Sequence, residues 1–212
     1  MPGAAFGHYA KKKSLYATER ARPEVKVDRH AFRHLPLWLT PRQLFFLDES
    51  GVNLAMTAAH AWSPRGERAV GHVPKNWGDN LTVVAALRTD GIVAPMVIAK
   101  SLNAEVFESY IEQCLVPMLN PGDIVVWDNL NVHKSATAIE MVEGVGASVM
   151  FLPAYSPDLN PIEQVWSKRK AWLRRLAART FDVIVDGIGA ALRDVDRVEA
   201  CNFFENCGYH VA

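Results

Sequence analysis

Two short apolar runs in this chain each end on an aspartate: Leu44-Phe45-Phe46-Leu47 before Asp48, and Ile124-Val125-Val126-Trp127 before Asp128. An unbroken apolar run of this length reads as a strand buried on both faces, which an open sheet achieves by carrying helices on both sides. Ligand sites in such sheets gather beyond strand ends, so two strands that each deliver a carboxylate there mark a candidate site. Composition sets the frame. Half of the 212 residues are apolar and 22% are charged, enough for one sizeable core without disulfides. The three cysteines, Cys114, Cys201 and Cys207, follow no disulfide spacing and suit a reducing, cytoplasmic setting. No apolar run approaches the ~20 residues of a membrane span, so no membrane partner is expected. With 23 basic and 23 acidic residues, any nucleic-acid-binding surface must be local.

The rest of the pattern predicts an α/β layout on one mixed sheet. A lead-in segment, residues 1–40, carries eight basic and three acidic residues between Lys11 and Arg33, and Pro23 is placed to begin a helix bearing Val25, Phe32 and Leu35. That helix reads as a solvated edge helix or as a DNA-touching arm. Leu81–Leu87 and Ile92–Ile98 read as strands joined at Asp90-Gly91, a hairpin turn. Trp62-Ser63-Pro64-Arg65-Gly66 marks a turn that is expected to cap a short extra hairpin. Helical spacing runs from Asn103 to Met118 and from Ser135 to Glu143, and Val149–Leu152 reads as a last strand. A helix follows from Pro161 to about Arg175. Two more close the chain, after a Thr180 N-cap and after Asp196, where Glu199 completes a capping box.

A third carboxylate, Glu163, follows Asp128 with 34 residues between them and lies in the first turn of the Pro161 helix. Three carboxylates suit Mg²⁺ or Mn²⁺, hard ions that leave positions open for phosphate oxygens. A pair of such ions would stabilise both the attacking and the leaving oxygen of a phosphoryl displacement. Rival roles stay open. Asp48 and Asp128 also suit turn starts, and Glu163 sits where a capping-box glutamate belongs, with Asn160 as N-cap. Asp158 and Glu49 lie close enough in sequence that spacing alone does not choose the ligands.

The motifs Leu47-Asp48-Glu49-Ser50-Gly51, Trp62-Ser63-Pro64-Arg65-Gly66 and Trp127-Asp128-Asn129 with His133, and above all the string from Tyr155 to Glu163, resemble the DDE transposases of the mariner superfamily. The nearest resemblance is to its bacterial insertion-sequence branch, the IS-six-thirty group. The resemblance implies a ribonuclease-H-like fold, a five-stranded mixed sheet flanked by helices with its second strand antiparallel. It implies a catalytic domain over residues 41–176, with residues 177–212 as C-terminal helices packed on it. Asp48, Asp128 and Glu163 would be the catalytic, metal-binding triad, with Asn129 and His133 as accessory residues. The implied reaction is cleavage of transposon ends by water, then attack of the freed 3′-hydroxyl on target DNA. Implied partners are DNA, a second copy in the DNA complex, and a separately encoded helix-turn-helix portion, since 212 residues leave no room for the family's end-reading domains. The alternative is a catalytically idle remnant that binds DNA or an intact transposase and regulates it.

Six basic residues and no acid fall between Lys168 and Arg179. Beside a site acting on DNA, Lys168, Arg169, Lys170, Arg174 and Arg175 are expected to contact phosphates. Cys201, Cys207 and His210 match no common zinc spacing and are expected to serve packing.

Overall fold

Strands β1 (Leu44–Val52), β2 (Leu81–Arg88), β3 (Gly91–Ile98), β4 (Ile124–Trp127) and β5 (Ser148–Phe151) form one mixed sheet in the order β3-β2-β1-β4-β5. This is a computed structural model, and it describes residues 17–34, 40–75, 80–129 and 131–211. The predicted Leu35 and the basic residues Lys11 to Lys13 lie outside them. β2 runs antiparallel to β1 and β3, whereas β4 and β5 run parallel to β1. The mixed sheet expected from the sequence is therefore the one observed, and its second strand is the antiparallel one.

Because side chains alternate along a strand, the central strand feeds two cores. Leu44 and Phe46 face one side with Val126, Ile162, Val165, Ile188 and Phe204; Phe45 and Leu47 face the other with Phe107, Ile111, Val125 and Val142. The first core is covered by helices α4 (Pro161–Leu176), α5 (Phe181–Arg193) and α6 (Arg197–Asn206). The second is covered by α2 (Ala104–Tyr110), which continues through a π-helical turn at Ile111–Leu115, and by α3 (Ala136–Gly144). The lead-in helix α1 (Pro23–His34) buries Val25, Arg29 and Phe32, and Phe32 joins the first core. Among the described residues no helix is long and apolar enough to cross a membrane.

Capping chemistry sets the helix starts. Asn103, Ser135, Thr180 and Asp196 each accept a hydrogen bond from the backbone N–H three residues on. The β2–β3 hairpin turns at Thr89-Asp90, and Gly91 follows at φ 133°, where a Cβ would stand 2.9 Å from the Val195 carbonyl oxygen. Pro95 sits on edge strand β3, beside Ala94 at φ 49°, where the register with β2 shifts between Val84 and Ala86. An edge strand accommodates such a bulge because it disrupts only one ladder.

Three expectations change. β1 does not end at Asp48: it runs four residues further, held by pairs such as Glu49↔Val84 and Gly51↔Thr82 with β2. The Trp62–Gly66 segment is a turn, with Glu67 N–H donating to the Pro64 carbonyl, and the described part of residues 53–80 contains no strand. The capping box at α6 is half made, since the Glu199 side chain is drawn to Lys168 and Arg169 instead.

Candidate active site

Sheet register brings the two aspartates together. The last parallel pair between β1 and β4 is Phe46↔Val126. Two residues further along each strand are Asp48 and Asp128, so they emerge abreast on the side of Phe46 and Val126, the side that α4 covers. Pro161 opens α4 after Asn160, and Glu163 follows in the first turn. All three carboxylates line one cleft of about 540 Å³, whose walls also include Asn129, Lys134, Tyr155, Ser156 and Asn160.

Of the rival roles for Glu163, capping is not made: Asn160 makes no side-chain cap hydrogen bond and its own N–H donates to the Pro157 carbonyl. The Asn160 Oδ1 is buried without a partner.

The cleft concentrates negative charge. Asp48 is 8% exposed, and burial, followed by the charges of Glu163, Glu49 and Asp128, pushes its carboxyl well above the usual carboxylate range. Burial raises Glu163 as well, and the charges of Asp128 and Glu49 add to it, while Lys170 two turns along α4 opposes them. Asp48 thus feels both other members of the triad. Such a cluster is costly by itself and favours a cation.

Asp128 is held from within the protein. His133 Nδ1 lies 2.5 Å from Asp128 Oδ1, and its Nε2 lies 3.2 Å from Glu49 Oε2. The imidazole is 1% exposed and packs against Phe107, with ring centroids 4.8 Å apart. Burial disfavours its charge, but the two carboxylates outweigh burial and raise its pKa to about 9, so the imidazolium is the form expected at neutral pH. His133 is therefore an ionic bridge between Asp128 and Glu49.

The donor set is all carboxylate oxygen, the chemistry of Mg²⁺ and Mn²⁺. As placed, no three His, Cys, Asp or Glu side chains among the described residues form a group that could hold one ion. Asp48 Oδ1 accepts the Glu49 N–H at 2.8 Å, and Asp128 Oδ1 faces His133. The residues fit such an ion in chemistry, and shared ligation requires side-chain rotation within the cleft.

Residues 43–184 match the DDE superfamily endonuclease family, which covers both aspartates, Glu163 and the whole sheet. The chain belongs to that family. Solved structures of Mos1 share its fold. The Mos1 strand transfer complex aligns with a TM-score of 0.76 and 14% identity, over 96% of this chain and 64% of that one. The Mos1 mariner paired end complex with Mn gives 0.75 and 14%, over 95% and 64%. The catalytic domain of Mos1 mariner transposase gives 0.67 and 11%, over 93% of each chain. The chain thus has a ribonuclease-H-like fold and spans 64% of the length of the chain in the Mos1 strand transfer complex. A comparison with curated protein sequences finds none that matches.

The basic stretch of α4 divides in two. Arg174 and Arg175 are exposed. Arg169, expected at a DNA surface, is instead 5% exposed: Nη1 donates to Asp194 Oδ2 at 2.9 Å and Nη2 pairs with Glu199. A guanidinium enclosed this way cannot present its charge to a phosphate. Lys168 is exposed along its side chain but also pairs with Glu199, and Lys170 is half-buried. The C-terminal trio makes no metal group: Cys201 Sγ donates to the Thr89 carbonyl, Cys207 receives the Gln164 amide and His210 pairs with Glu205.

The sequence gives no signal for Lys134, which lines the cleft, and leaves Glu49 unassigned beside the triad. Nor does it assign a role to Asp158 in the loop before α4. Arg20, Arg29 and Arg33 all reach Asp158 Oδ2, at 2.9, 2.7 and 3.2 Å. Partial burial works against ionisation, but Arg29 and then Arg20 outweigh it and hold the Asp158 carboxyl below its ordinary value. A depressed folded-state pKa stabilises the fold above the unfolded value, near ~3.9, and that stabilisation is lost as pH falls through the folded value. The melting-temperature gap between wild type and Asp158→Asn should stay constant from neutral pH to about 5 and narrow progressively below about 4. A gap as wide in strong acid as at neutral pH would contradict this.

Proposed function

We propose that this chain is the catalytic domain of a DNA transposase, cutting transposon ends with water and joining the freed 3′-hydroxyl to target DNA. The observation that carries this is the convergence of Asp48, Asp128 and Glu163 on one cleft in a DDE endonuclease, at the edge where two parallel strands part. Asp48, Asp128 and Glu163 would hold Mg²⁺ or Mn²⁺, two ions on our reading, which supply Lewis-acid stabilisation of both oxygens in an in-line phosphoryl transfer. The likeness to Mos1 complexes with Mn and with Mg supports that choice of metal. The wording of the Tyr155–Glu163 string supports placing the chain in the bacterial insertion-sequence branch.

The protein's own groups supply position and charge. His133 orients Asp128, and Asn129 offers an amide at the cleft wall. Lys134 adds a cation where a phosphodiester would enter. Partners on this reading are transposon-end and target DNA, a second copy of the chain, and a helix-turn-helix portion that reads the ends.

Pre-nicked terminal-repeat DNA incubated with Mg²⁺ or Mn²⁺ tests the reading. Joined product should form with wild type and vanish with chelator or with Asp128→Asn. Absence of any metal-dependent cleavage, even with a helix-turn-helix portion added, would refute it and leave the regulatory remnant.

A further inference from the structure

The loop from Pro153 to Asn160 links β5 to α4, and so sets where Glu163 stands relative to the two aspartates. It has little secondary structure of its own beyond one 3₁₀ turn at Pro157–Leu159, and Tyr155 within it adopts φ 57°, a conformation that costs a non-glycine residue energy. Something outside the loop must hold it. From α1, Arg29 reaches across more than 120 residues of sequence: Nη1 donates to Ser156 Oγ at 2.6 Å, to Asp158 Oδ1 at 3.0 Å and to the Tyr155 carbonyl at 3.4 Å, while Nη2 donates to Asp158 Oδ2 at 2.7 Å. Arg29 is 6% exposed and Ser156 5%, so the guanidinium and its hydroxyl partner are enclosed, and its grip on the partly exposed Asp158 is bidentate, a geometry in which an arginine is strongly directional. Tyr209 adds a second tie, its hydroxyl donating to the Leu159 carbonyl at 2.8 Å.

We propose that Arg29 is a positioning residue of the active site: α1, which by sequence is only a lead-in, fixes the 155–158 loop and thereby the place of Glu163 in the triad. This rests on the catalytic reading above. It makes α1 part of the site, so that a movement of the chain entering α1 at Pro23 is transmitted to the loop before Glu163, with Arg29 as the side chain that grips that loop at three residues. Arg33 provides the contrast. It meets the same Asp158 oxygen but is 56% exposed along its side chain and touches neither Tyr155 nor Ser156.

The test compares Arg29→Ala, Arg29→Lys and Arg33→Ala with wild type, each well below its own melting temperature. Two readouts are followed, Mn²⁺ affinity by titration and backbone hydrogen exchange across the loop and α4. Expected are faster exchange confined to residues 154–165 in Arg29→Ala and an Mn²⁺ affinity about tenfold weaker, the size seen when supports of a ligand are removed. Arg29→Lys, restoring a single hydrogen bond, should lie between, and Arg33→Ala should match wild type within about twofold. Unchanged exchange in the loop, or exchange raised equally across the whole sheet, overturns the proposal. So does an unchanged Mn²⁺ affinity in Arg29→Ala where wild type binds the ion. Should wild type and Asp128→Asn both fail to bind Mn²⁺, the metal reading falls and the exchange data alone decide the role of Arg29. If Arg29→Ala does not fold, Asp158→Asn, which keeps a neutral acceptor, takes its place with the same expected outcomes.

Discussion

Asp48→Asn is expected to abolish DNA cleavage while making the protein more stable. Asp48 is 8% exposed at the point where β1 leaves β4, and its nearest charges are the carboxylates of Glu163, Glu49 and Asp128. An ionised carboxyl there loses hydration and is repelled by three carboxylates, with one backbone hydrogen bond in its favour, so its neutral isostere relieves the net cost. The backbone bond from the Glu49 N–H survives, because the amide oxygen of asparagine accepts it equally. In chelator at neutral pH the variant should melt higher than wild type, by about 2–4 °C for each kcal/mol relieved. Its cleavage rate should fall on the order of 10³-fold or more, the scale on which a single electrostatic group at a phosphoryl-transfer site acts. Added Mn²⁺ should raise the melting temperature of wild type, since an ion that binds only the folded form stabilises it, and should leave the variant nearly unmoved. A variant that melts lower than wild type, or cleaves within tenfold of it, would show that Asp48 is a structural aspartate.

The same residue shows how far the sequence can be read. The apolar runs and hairpin turn are legible because burial on both faces and the Asp90-Gly91 turn leave direct residue signatures. Asp48-Glu49-Ser50-Gly51 looks like a turn by composition, yet it is strand, since pairing with β2 outweighs local preference there. Nothing local distinguishes the two roles of Glu163; the missing cap bond counts against capping, and its place in the cleft with the two aspartates comes from how α4 packs on the sheet. Arg169 is misleading for a related reason. Its charge is visible in sequence, but its partners, Asp194 and Glu199, come from the turn before α6 and from α6 itself, and only the packing of α6 on α4 brings them near. Asp158 carries no local signal because the arginines that engage it lie over a hundred residues away, on α1 and just before it.

Arg169→Ala should therefore behave as a core mutation and not as the removal of a DNA-binding charge. The guanidinium is 5% exposed, and its two pairs are unequal: the Asp194 side chain is 77% exposed, so that pair is screened and weak, while Glu199 is 15% exposed and carries most of the interaction. Truncating Arg169 leaves Glu199 nearly buried with Lys168 as its remaining ion-pair partner, and removes an alkyl stem from the buried face of α4, where it lines one small cavity with Trp166 and Leu173. Breaking a buried pair from one side costs about 3–5 kcal/mol, which corresponds to roughly 6–20 °C in melting temperature for a chain of this size. Arg169→Met combined with Glu199→Gln should recover a large part of that stability, because it restores volume and leaves no stranded charge. The exposed pair gives the opposite pattern. Reversing Arg174 and Arg175 to glutamate should move the melting temperature by less than about 2 °C while weakening DNA binding and flattening its logarithmic salt dependence by roughly one unit for each phosphate no longer neutralised. An Arg169→Ala protein as stable as wild type but with that flattened salt dependence would return Arg169 to the DNA surface and make its ion pairs incidental.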